Sequence, residues 1–165
     1  FSYGDNSYGQ GSWAQPVASE NPDGGTATIN NNCNGEILLV PAKAKDGSRV
    51  YVALQSVPRG TPGNHPSNIE RRSHVSVYWK AFRSAADWAS PENWKDGWKR
   101  YEITDGYSAY SSMAIGDKGN ICFIYEDDGV RFRLGSQSTE MYSIFYRNLT
   151  LKEITGGKYK YSKIK

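Results

Sequence analysis

Apolar and polar residues alternate in short runs along most of the chain, which is the period of strands with one face buried. Thr26–Ile29, Glu36–Pro41, Arg49–Ser56, Val75–Lys80 and Tyr142–Leu151 each read as a strand. Two further runs flank Asp117-Lys118-Gly119-Asn120 and read as a hairpin, its first strand holding Tyr110 and its second ending at Glu126. Asn34-Gly35, Asp46-Gly47 and Asp127-Asp128-Gly129 supply further turns, since Asn and Asp tolerate, and Gly favours, the backbone angles of tight turns. Residues 57–70 and 130–140 read as loops. Helical periodicity is poor, so a single short turn of helix near Ser84–Trp88 is all that is expected. Lys158, Lys160, Lys163 and Lys165 alternate with Tyr159, Tyr161 and Ile164, as on a strand with one solvated face.

Successive short strands joined by tight turns predict an all-β fold built of meanders, as in a propeller blade. Composition agrees: 17 Gly, 12 Tyr and 5 Trp among 165 residues suit one β-rich domain. No run approaches the length of a membrane-spanning helix. A net charge of +3 is compatible with anionic substrates, but it lacks the dense basic stripe of a nucleic-acid binder. Cys33 and Cys122 lack metal-ligand spacing, which leaves either one disulfide or two thiols. His65 and His74 are too isolated to bind a metal and read as solvated or hydrogen-bonded. Trp88, Trp94 and Trp98 read as packing residues, with a sugar-stacking platform as the alternative. Residues 1–24 read as an irregular Gly- and Ser-rich loop or a degenerate Asp-box turn.

The chemistry centres on Asp105-Gly106-Tyr107-Ser108-Ala109-Tyr110-Ser111-Ser112-Met113. A phenol near pKa 10 is ordinarily a poor nucleophile. It becomes useful where a carboxylate nucleophile would be repelled by a carboxylate on the sugar, and sialic acids carry one on the anomeric carbon. Tyr-Ser-Ser-Met, a turn, and an apolar strand ending Tyr125-Glu126 resemble the nucleophile hairpin of the exo-α-sialidase (neuraminidase) family of glycoside hydrolases. Arg72, 38 residues before Tyr110, is similar to that family's third substrate arginine, and Tyr142–Leu151 resembles the last propeller strand. The likeness covers Arg72 to Leu151.

The resemblance implies antiparallel four-stranded blades, with this chain supplying about half of a six-bladed propeller as its C-terminal portion. Because the chain begins at Phe1, it is expected to be a processed piece or fragment, inactive until joined to the missing N-terminal half of the propeller. Tyr110 would be the nucleophile, with Tyr107 as the fallback. Arg72 would grip the substrate carboxylate, with Arg71 as the nearby alternative. Glu126 would orient the family's first arginine. That arginine, the acid/base Asp and the general base have no match here, and Lys43 is not given the second arginine's role. The implied partners are sialylated glycans, with no cofactor, and the implied location is secreted, periplasmic or cell-surface. Two rivals stand beside the hydrolase. One is a carbohydrate-binding β-sandwich stacking sugar on Trp79, Trp88, Trp94 or Trp98, and the other is a structural propeller segment.

Overall fold

A computed structural model describes residues 33, 35–60, 72–127 and 143–163. The strands are β1 (Ile37–Ala44), β2 (Arg49–Pro58), β3 (Val75–Phe82), β4 (Lys99–Glu102), β5 (Ser108–Ile115), β6 (Ile121–Asp127), β7 (Ser143–Leu149) and β8 (Tyr159–Tyr161). Short helices α1 (Ala85–Ala89) and α2 (Leu151–Ile154) and one 3₁₀ turn, Pro91–Trp94, complete the described elements. All pairings are antiparallel, in a five-stranded sheet ordered β4-β3-β2-β1-β8 and a three-stranded sheet ordered β5-β6-β7. The fold is therefore antiparallel β, as expected. Its described sheets hold five and three strands where four were expected, because β8 adds itself to the β1 edge.

The turns form where local chemistry asks for them. Asp46 Oδ1 accepts from the Ser48 amide at 2.9 Å and the Ser48 hydroxyl at 2.6 Å, while Gly47 takes φ 85°. At the second hairpin the Gly119 amide donates to the Gly116 carbonyl at 2.8 Å, and Gly119 has φ 78°. A Cβ on Gly119 would stand 1.9 Å from the Tyr161 ring, so this turn also needs glycine for space. Ser84 and Asp87 close a reciprocal capping box at α1, which is why the short helix forms there.

Three elements depart from the sequence reading. Val57 and Pro58 continue β2, paired with Ser76 and Val75, where a loop was expected. Pro58 is tolerated as the last strand residue. Residues 99–102 form β4, an edge strand whose polar Lys-Arg-Tyr-Glu carries no alternation to read. Leu151 starts α2 instead of ending a strand, because Thr150 and Glu153 form a second capping box. The expected strand Thr26–Ile29 and loop 130–140 lie outside the described residues.

The main core lies between the sheets. Val52, Leu54, Val75 and Val77 from one sheet and Met113, Ile121 and Phe123 from the other join Leu149, Leu151 and Ile154. Full burial of each such side chain contributes about 1.5–3 kcal/mol. The opposite face of the five-stranded sheet buries Ala53, Val57, Tyr78, Phe82 and Trp98, with Trp88 and Trp94 against them. The Trp94 indole N–H donates to the Trp88 carbonyl at 2.7 Å, and that of Trp98 donates to the Trp94 carbonyl at 2.8 Å. Trp94 also packs 4.8 Å from Phe82, so these tryptophans act as a structural cover. No disulfide joins Cys33 and Cys122. Among the described residues no helix is long and apolar enough to cross a membrane.

Candidate functional site

A β-bulge sets the direction of Tyr110. Ser108 pairs with Asp127 and Ser111 with Tyr125, so β5 carries one residue more than β6 between those pairs. Ala109 and Ser111 are buried while Tyr110 turns out to solvent, 43% exposed. Bulges of this kind re-aim side chains and free a backbone group from the ladder. Here the Tyr110 amide donates to Glu126 Oε2 at 3.4 Å.

Arg72 reaches the same place through backbone pairing. Its carbonyl accepts from the Ser108 amide at 2.8 Å, Ser73 bridges Tyr107, and the His74 amide donates to the Gly106 carbonyl at 3.0 Å. The guanidinium carbon then lies 5.6 Å from the centre of the Tyr110 ring, within cation–π range. His74 has φ 56°, a left-handed conformation seen at no other non-glycine residue among those described. It is held there by its own backbone bonds and by Glu102, whose Oε2 lies 3.2 Å from His74 Nδ1 and also accepts from Arg100 at 2.7 Å. Backbone strain at such a site persists only where the surroundings fix it.

Ser108 ties these pieces together. It is fully buried, and its hydroxyl accepts from the Val75 amide at 2.8 Å. Ser108→Ala leaves that amide without its partner and should cost about 1–3 kcal/mol in urea unfolding. A cost below measurement error would mean that the bond does not anchor the Arg72 segment.

The surroundings add groups the sequence reading did not single out. The Ser112 hydroxyl donates to Glu36 Oε2 at 2.9 Å, and that of Ser111 donates to Ser56 Oγ at 2.9 Å inside the core. Burial pushes the Cys33 thiol above its ordinary pKa; nearby Arg72 opposes this and Glu126 adds to it, which places the thiol within electrostatic reach of both. No local motif marks Cys33 or Glu36; Glu36 meets β5 only through tertiary pairing, at Ser112.

Tyr110, Glu126 and Arg72 are thus brought together on one solvent-facing patch. Arg71 lies outside the described residues. Tyr107 is half-buried at the bridge to Ser73. Lys43 pairs with Arg49 and Lys160, at the opposite end of β1 from Glu36. Glu126 meets the Tyr110 amide, a partner the sequence reading did not assign to it. Chemically, the patch offers a solvent-accessible phenol, a guanidinium able to pair with a carboxylate, and a carboxylate that braces the phenol's strand. No protein-family model matches the chain, and no curated protein matches it.

Proposed function

We propose that this chain is part of an exo-α-sialidase, contributing the tyrosine nucleophile and one carboxylate-binding arginine to a retaining hydrolysis of terminal sialic acid. The observation that carries this reading is the Arg72 guanidinium set 5.6 Å from an exposed Tyr110 ring. An acidic sugar whose carboxylate pairs with Arg72 would bring its anomeric carbon toward the phenol, and the fixed orientation would lower the barrier. The Tyr110 oxygen attacks that carbon as the general base takes the phenolic proton, and the glycosidic bond breaks with the leaving oxygen protonated by the acid/base residue. Water later releases the sugar from the aryl glycoside, and Tyr110 regains its proton. A neutral phenol approaches the anionic sugar without the repulsion a carboxylate nucleophile would meet. Glu126 braces the bulge through the Tyr110 amide. The general base and the acid/base residue would come from other parts of the enzyme.

The meander β1-β2-β3-β4, followed by β5-β6-β7, supports a propeller, since blades are sequential antiparallel sheets. Terminal sialic acid on exported or surface glycans would place the enzyme outside the cytoplasm. One observation favours the carbohydrate-binding sandwich instead: the two sheets pack across a shared core. Against it, Trp79 and Trp98 are only 6% and 7% exposed and offer little stacking surface.

Binding of a 2,3-didehydro sialic acid to the chain separates the readings. Arg72→Ala should weaken it by about 30-fold or more, as loss of a charged partner does. Unchanged binding would remove Arg72 from the site and favour the sandwich module.

A further inference from the structure

We propose that the hairpin end of the five-stranded sheet holds a second ligand site, shaped for a sugar unit that carries a carboxylate or sulfate. It is independent of the Tyr110 patch. A cleft of about 450 Å³ opens where the β1–β2 hairpin, the end of β3 and β8 meet, and that volume suits a mono- or disaccharide.

Its lining divides into two kinds of surface. Val50 and Ala81 present the apolar edge of the core, and Tyr159 adds a half-buried ring. Arg49 and Arg83, both exposed, supply guanidinium groups at the same opening. Asp46 also lines the cleft, but its Oδ1 already accepts two bonds from Ser48. Those bonds hold its carboxyl below the ordinary pKa, with Arg83 adding a smaller pull. The lining therefore keeps two guanidiniums against one carboxylate.

More positive charge stands beside it. The Tyr159 ring meets Trp79 edge-on at 5.9 Å, and over Trp79 lie the Lys99 and Lys158 ammonium groups, at 5.2 and 5.7 Å from its centre. Lys99 pushes the Lys158 ammonium below its usual pKa through a hydrogen bond and like charge. Guanidinium forks match carboxylate and sulfate geometry. An apolar floor and a tyrosine ring suit the C–H face of a sugar, for which a bare anion has no use.

The test is NMR titration of the full chain carrying Arg72→Ala, which silences the Tyr110 patch. The probes are methyl glucuronide, 6-sulfated N-acetylglucosamine, methyl glucoside and inorganic sulfate. The acidic sugars should bind saturably, with shifts in residues around Tyr159, and methyl glucoside and inorganic sulfate should bind about 10-fold more weakly. Arg49→Gln with Arg83→Gln, both at exposed positions, should weaken acidic-sugar binding by about 10-fold or more while leaving urea unfolding unchanged. The proposal is overturned by absence of saturable binding, by equal affinity for inorganic sulfate, or by binding that survives both arginine changes. Because Arg72 is already removed, none of these outcomes bears on sialidase activity.

Discussion

Tyr110→Phe, in the chain expressed within its full open reading frame, should lower kcat on a fluorogenic sialoside by about 10³-fold or more. The change removes one oxygen and keeps the ring on which Arg72 lies. Folding stability should barely move, since the side chain is exposed on the outer face of β5. Unaltered urea unfolding beside lost turnover would therefore separate chemistry from structure. Intact turnover in Tyr110→Phe would remove the nucleophile assignment. If Tyr107→Phe abolished turnover in its place, the role would pass to the half-buried tyrosine beside Ser73.

The second large effect is on stability. Phe123 is fully buried at the centre of the inter-sheet core and stacks 5.4 Å from Tyr125, which in turn stacks 5.7 Å from Phe145. Phe123→Ala should cost about 3–5 kcal/mol, combining lost transfer energy with the cavity left behind. That is a large share of the 5–15 kcal/mol typical of a domain, and it should appear as a lower urea midpoint with unchanged slope. Because both sheets share this core, unfolding should remain one transition. A loss below about 1 kcal/mol would show that the layers are not packed as described.

The hairpin around Asp117–Asn120 was legible because alternation and turn residues agreed over a short span. So were the Asp46-Gly47 turn and the helix at Ser84, each set by side chains within four residues of one another. The capping box at Thr150 and Glu153 was equally local, but the apolar run before it masked the change from strand to helix. What could not be read was anything set by distant pairing. The bulge at Ala109–Tyr110 depends on register against β6, and the approach of Arg72 depends on Ser108 bonding to residues 72 and 75. Tyr110 and Glu126 could be named from one hairpin motif and Arg72 from a separate likeness 38 residues upstream; Glu36 could not, since its bond to Ser112 exists only after folding.

Tyr161 gives the short final strand a reach beyond its own sheet. β8 is zipped to β1 in one layer while its last tyrosine sits on the Gly119 turn of the other, so it works as a clasp across the two. A protease cut or a poorly placed fusion at Tyr159–Tyr161 would therefore release the tip of the very hairpin that presents Tyr110.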